Sequence, residues 1–215
     1  MPFIKKIELE VGTVGIWELT ETAEELNNSF VFSSTEKEEF EKIRSDKRKK
    51  EYIASRLILQ ELLNKKIEIE YLITGKPILK NTQLHISISH SENIVVVIVS
   101  NHKIGIDVEI LNRNIDQVAR RFLSKEEYNF IQNASESQSA KIICWGAKES
   151  IFKCSDYQGV HFYQQIFIHP FKIKNEGSFS GKLISGNITE NYKLWYFPHQ
   201  NNMIVFCVED KNDPK

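Results

Sequence analysis

The chain is short of the residues that build disulfide frameworks, interdomain linkers and membrane spans. Its three cysteines, Cys144, Cys154 and Cys207, are odd in number and none stands in C-x-x-C spacing. That excludes a disulfide scaffold or a zinc knot and leaves buried, reduced thiols as the reading. No Gly/Ser/Pro-rich linker divides the sequence, which has five prolines in 215 residues. The longest aliphatic run, Ile94 to Val99, is six residues, against the roughly 20 needed to cross a bilayer. The opening MPFIKKIELE has no apolar stretch fit for a signal peptide. A surplus of one charge is missing as well: 28 Lys+Arg face 29 Asp+Glu, a net charge of −1. No broad basic field exists to gather nucleic acid or acidic lipid, so any anion site must be local. The expectation is a soluble, cytoplasmic chain without a nucleic-acid or membrane partner.

What is present is an ordinary globular composition, 41% hydrophobic and 27% charged, which favours folding over disorder. The first half reads as a strand over 11–19 and a helix start with Thr20 or Thr22 as N-cap. A long helical pattern follows over about 35–64, carried by Phe40, Ile43, Tyr52, Ile53, Leu57, Leu59, Leu62 and Leu63. Short β-rich pieces follow at 67–73, 77–79, 84–88 and 94–99. The second half repeats the order: a strand at 104–110 and short helices at about 115–121 and 125–132, the latter opened by the capping-box pair Ser124 and Glu127. A longer helix over about 136–153 follows, then strands near 166–173, 179–184, 192–197 and 203–208. Strand, short helix, long helix and several strands thus occur twice. This pattern predicts an α+β fold of two similar lobes, 1–101 and 102–215, joined near Ser100–Lys103, with room for a ligand cleft between them.

Two segments stand out chemically. In Gly105-Ile106-Asp107-Val108-Glu109 the alternation of a strand puts both carboxylates on one face. Two adjacent carboxylates on an apolar strand repel unless a cation or a shared proton lies between them, and oxygen-only donors suit Mg²⁺; a solvated polar face is the plainer alternative. In Trp145-Gly146-Ala147-Lys148-Glu149-Ser150-Ile151-Phe152-Lys153, helical spacing puts Trp145, Glu149 and Lys153 on one stripe with Lys148 beside them. An exposed ion pair explains Glu149 and Lys153 equally well, but the tryptophan on the same stripe implies a covered face. Three lesser features lie upstream. The strand end Ile86-Ser87-Ile88-Ser89-His90-Ser91 carries groups able to bind phosphate oxygen, and the turn Gly75-Lys76-Pro77 presents a lysine. The basic stretch Lys47–Arg56 carries Arg48 and Arg56 eight residues apart; it is either a solvated face or a two-arginine grip on phosphate.

Taken in this order, these residues resemble the 4′-phosphopantetheinyl transferases of the two-domain, surfactin-synthetase-activating type. The Gly-hydrophobic-Asp-hydrophobic-Glu strand is followed, 42 residues after Asp107, by the glutamate of a Trp-x-x-Lys-Glu-Ser-x-x-Lys helix. The Gly-Lys-Pro turn, the Ser-His-Ser strand end and a basic helix ending in Ala-Ser-Arg match in sequence order. The resemblance runs from about Lys47 to Lys153; beyond Phe171 only the β-rich character agrees.

The resemblance implies transfer of phosphopantetheine from coenzyme A to a serine of an apo acyl or peptidyl carrier protein, with release of 3′,5′-ADP. It implies Asp107, Glu109 and Glu149 as Mg²⁺ ligands, and Lys148 and Lys153 beside the phosphate under attack. Lys76, Ser89, His90, Arg48 and Arg56 would hold the phosphates of the nucleotide half. The first lobe is then the coenzyme A side, and the second carries the carboxylates and the catalytic helix. Glu149 is the candidate base, and Arg113, Arg120, Arg121 and Lys125 lie where an acidic carrier could dock, though a solvated charged face explains them equally well. A monomer is expected. Two departures are visible: Gly146 stands where a small hydroxyl residue or cysteine is commoner, and Lys49 where a second arginine is common. The competing readings are another Mg²⁺-dependent phosphoryl-transfer enzyme and a non-catalytic module that binds coenzyme A or a carrier.

Overall fold

The computed structural model describes residues 5–133 and 136–211. The first four residues, part of the stretch read for an apolar leader, lie outside them. The fold is α+β, and the chain divides into two compact units, Met1–Asn101 and His102–Lys215.

The first unit is built from β1 (Lys5–Leu9), β2 (Gly12–Glu18), α1 (Ala23–Ser29), α2 (Ser34–Lys42), α3 (Asp46–Leu63), β3 (Ile69–Tyr71), β4 (Pro77–Leu79), β5 (His85–Ser91) and β6 (Ile94–Ser100). Its main sheet has the order β1-β2-β6-β5, every neighbour antiparallel, and β3 pairs with β4 as a separate ribbon. The single helix expected over 35–64 is two helices. The backbone leaves the helical region at Ile43, and Ser45 restarts it, its Oγ accepting from the Arg48 amide. Thr22, rather than Thr20, caps α1 through a full capping box.

The second unit runs β7 (Ile104–Ile110), α4 (Asp116–Phe122), α5 (Lys125–Gln132), α6 (Ser137–Cys154), α7 (Phe162–Gln165), β8 (Ile166–Ile168), β9 (Gly177–Ser185), β10 (Ile188–His199) and β11 (Asn202–Glu209). The sheet order is β7-β11-β10-β9-β8, antiparallel throughout. The Ser124–Glu127 capping box opens α5 as its spacing predicts.

The repeat of pattern is a repeat of topology. In each unit an early strand pairs with the last strand, the last pairs with the one before it, and the long helix packs on the first two: α3 on β2 and β6, α6 on β7 and β11. Both helices approach at a glycine. A Cβ on Gly15 would overlap the Ile58 side chain, and one on Gly105 would overlap the Ser150 carbonyl oxygen and crowd the Cys154 amide. The core of the second unit is the α6 face bearing Ile143, Ala147 and Ile151, packed on Leu183, Leu194, Val205 and Cys207, all buried. All three cysteines are buried and reduced. Among the described residues, no helix is long and apolar enough to cross a membrane.

Candidate active site

Strand β7 sets the site. Asp107 pairs in register with Val205 and Glu109 with Met203 of β11, and the alternation puts both carboxylates on the face covered by α6. The helix can lie this close because of its own glycine. A Cβ at Gly146 would stand 2.9 Å from Val205 Cγ2 and 3.5 Å from Asp107 Oδ2, which accounts for a residue otherwise costly in mid-helix. Ser150 fixes the contact from its Oγ, donating to the Val205 carbonyl at 2.9 Å.

The carboxylates are matched by cations and donors of the same unit. Lys153 Nζ donates to Asp107 Oδ1 at 2.7 Å and to the Ile106 carbonyl at 3.1 Å. Asp107 is only 5% exposed. Arg113, just beyond the end of β7, donates from Nη1 to both Glu109 oxygens, at 2.8 and 2.7 Å. Trp145 Nε1 donates to Glu109 Oε1 at 2.8 Å, and its ring rests on Phe122 and Phe162 with centroids 4.9 and 5.7 Å away. The stripe of Trp145, Glu149 and Lys153 is therefore a covered face. Burial pushes the Glu149 carboxyl up to about 7; the charges of Asp107 and Glu109 add to the rise, and Lys153 and Arg113 oppose it. The carboxylates are thus electrostatically coupled, but not gathered. Among the described residues no three His, Cys, Asp or Glu side chains converge as a set able to hold one ion. In this arrangement Lys153, Arg113 and Trp145 engage Asp107 and Glu109. The donor set itself, oxygen only, has the chemistry that Mg²⁺ takes.

Lys148 requires a correction. It does not stand beside a phosphate site but is fully buried, its Nζ 2.8 Å from Glu127 Oε2 and donating to the carbonyls of Phe162 and Ile166 at 3.1 and 2.5 Å. Glu127 also accepts from the amides of Ser124 and Ile168, both at 2.6 Å. The reason is helical geometry: one residue is a turn of about 100°, so Lys148 points away from Glu149 toward the side of Cys144 and Ile151. Burial lowers the Lys148 ammonium against the pull of Glu127.

In the first unit a cavity of about 440 Å³ is lined by Arg48, Glu51, Tyr52, Ser55, Tyr71 and His90, among others. Arg48 and His90 meet at its wall, Nη1 to Nε2. Lys76 sits between Gly75 and Pro77, both of which line the cavity. Ser89 does not reach it: neighbouring strand residues face opposite ways, and Ile88 and His90 line the cavity while Ser89 is buried. Arg56 is a second correction. Eight residues place it about 80° round the helix from Arg48, and its guanidinium lies 3.3 Å over the Tyr52 ring. It is 3.5 Å from both Glu36 and Glu39 and donates to the Tyr52 carbonyl at 3.1 Å. It ties α3 to α2.

Sequence reasoning missed Glu51 and Glu127. Glu51 was signalled by its i,i+3 and i,i+4 spacing to Arg48 and Lys47. Only the first half of Glu127's role, the capping box, was visible. Arg113 is exposed and pairs with Glu109, and Arg120, Arg121 and Lys125 are exposed on α4 and α5.

The strand with paired carboxylates and the helix bearing Trp145, Glu149 and Lys153 lie within a segment that matches a known family. Residues 103–207, just under half of the chain, match the family model of the 4′-phosphopantetheinyl transferase superfamily. The curated relatives include the 4′-phosphopantetheinyl transferase gsp of Aneurinibacillus migulanus, 35% identical over 81 residues that cover 37% of this chain and 34% of the relative. The 4′-phosphopantetheinyl transferase HetI of Nostoc sp. is 28% identical over 123 residues, covering 50% of this chain and 52% of the relative. A 4′-phosphopantetheinyl transferase of Bacillus subtilis is 34% identical over 82 residues, 37% of each chain. The chain thus spans between a third and about half the length of these relatives.

Proposed function

We propose that this protein is a 4′-phosphopantetheinyl transferase that moves the phosphopantetheine arm of coenzyme A onto a serine of an apo carrier protein and releases 3′,5′-ADP. The observation that carries the reading is the arrangement on β7 and α6: Asp107, Glu109 and Glu149 coupled to one another, with Lys153 bound to the first. In this reading Asp107, Glu109 and Glu149 hold Mg²⁺, which when bound would draw charge from the pyrophosphate. Phosphoryl transfer asks the protein for positioning and charge stabilisation more than for covalent chemistry. Lys153 supplies a fixed cation for the phosphate under attack. Glu149, the half-buried carboxylate beside Asp107 and Glu109, is the candidate to take the serine hydroxyl proton. The first-unit cavity, with Arg48, His90 and the nearby Lys76, takes the nucleotide half of coenzyme A.

The test is intact-protein mass spectrometry of several apo carriers incubated with the chain, coenzyme A and Mg²⁺. Transfer adds one phosphopantetheine mass to a carrier serine. Binding of coenzyme A or carrier with no mass gain on any carrier would make the protein a binding module and end the transferase reading.

A further inference from the structure

The first-unit cavity carries a negative charge where a polyanion pocket calls for positive ones. Glu51 is 5% exposed; its Oε2 accepts from Arg48 Nη1 at 2.9 Å, and its Oε1 lies 3.4 Å from His90 Nδ1 and 3.9 Å from Lys47 Nζ. Arg48 and His90 are the cavity-lining side chains able to carry positive charge, and both already face this carboxylate. Of the other basic residues of the helix, the Lys49 ammonium sits 5.6 Å from the Phe40 ring centroid, Arg56 is held by Tyr52, Glu36 and Glu39, and Lys47 faces the same Glu51 carboxylate at 3.9 Å. A phosphomonoester dianion entering here meets the fixed like charge of Glu51, itself buried, beside its two basic partners. A hydroxyl in the same place meets a balanced cluster and loses little.

Resting on the coenzyme A reading above, we infer that Glu51 relaxes selection for the 3′-phosphate, so that the chain accepts 3′-dephospho-coenzyme A as a phosphopantetheine donor on nearly equal terms with coenzyme A. The chemistry is unchanged at the reacting centre. The carrier serine Oγ–P bond forms, the bond from that phosphorus to the bridging pyrophosphate oxygen breaks, and the electron pair leaves with that oxygen. The hydroxyl proton goes to the base. The product is AMP in place of 3′,5′-ADP. In a pocket whose cations were not already matched, loss of a charge-assisted phosphate contact would cost about tenfold to a hundredfold.

Two measurements on the full chain decide this. The first is kcat/KM for each donor with one apo carrier; the second is calorimetric binding of 3′,5′-ADP against AMP. The unaltered chain should discriminate by less than about tenfold in both, and Glu51→Gln should raise the preference for the 3′-phosphorylated ligand by at least about fivefold, as removing a like charge predicts. A preference above tenfold in the unaltered chain, or an unchanged ratio in a folded Glu51→Gln variant, overturns the inference. If that variant does not fold, the ratios of the unaltered chain stand as the test. Transfer from coenzyme A alone defeats this inference and leaves the proposed function intact. Transfer from neither donor defeats the proposed function, and the calorimetric pair still judges the pocket.

Discussion

Lys153 reaches across from α6 to bind Asp107 Oδ1 at 2.7 Å and the carbonyl of Ile106 at 3.1 Å, so one ammonium ties helix to strand beside the first carboxylate of the strand. Its side chain retains 27% exposure, enough to touch a ligand while holding its place.

Removing that ammonium should affect turnover more than folding. Lys153→Ala is expected to lower kcat by about a hundredfold or more, the scale of losing one fixed charge-stabilising donor. Lys153→Arg should not restore it, because a planar fork cannot occupy the position of a point charge. Single-turnover kinetics at saturating coenzyme A, with circular dichroism as the folding control, would show this. Turnover within threefold of the unaltered chain in Lys153→Ala would remove Lys153 from the chemistry.

The Glu127–Lys148 pair should behave in the opposite way. Glu127→Ala strands a fully buried ammonium and two amides, and is expected to cost about 3–5 kcal/mol. Lys148→Met should cost less, because Glu127 keeps its bonds to the Ser124 and Ile168 amides. Thermal melts should therefore rank Glu127→Ala below Lys148→Met. The Lys148→Met variant should retain transferase activity if the lysine acts only as an internal strut.

Gly105 and Gly146 should differ sharply. Gly105→Ala pushes a methyl into backbone that cannot yield, and is expected to destabilise the chain by about 2 kcal/mol or more. Gly146→Ala meets the end of the Val205 side chain at 2.9 Å and gains helix propensity worth about 1 kcal/mol. Its net effect should be a destabilisation clearly smaller than that of Gly105→Ala. Denaturation midpoints of the two variants would separate them.

The two arginines of α3 should also part company. Arg48→Ala should raise KM for coenzyme A with kcat little changed, as loss of uniform binding does. Arg56→Ala should leave KM nearly unaltered and lower the melting temperature, since it removes the cation packed between Tyr52, Glu36 and Glu39.

What was legible in the sequence followed from the local period of the chain. Asp107 and Glu109 share a face because strands alternate, and Trp145, Glu149 and Lys153 share one because four residues are nearly a helical turn. What failed depended on partners distant in sequence. Lys148 and Arg56 look like surface cations until Glu127, Phe162 and Ile166, or Glu36 and Glu39, come to meet them. Glu51 reads as an ordinary member of a charged helix until His90 arrives from β5. The break between α2 and α3 was hidden because it falls in the polar stretch 44–51, where no apolar residue marks the helical phase and only the Ser45 cap signals a restart. The lysine-rich β1 was missed because, as an edge strand with its residues half-buried or exposed, it carries little apolar signal.

The contact at Gly105 also bears on how the second unit opens. Where a helix rests directly on the backbone of a strand, with Ser150 anchored to the Val205 carbonyl beside it, neither element can loosen without exposing the other. Strand β7 and the C-terminal half of α6 should thus behave as a single cooperative opening unit, their amides sharing one protection factor. Asp107, Glu109, Glu149 and Lys153 would then lose their geometry together, with no half-assembled state in between.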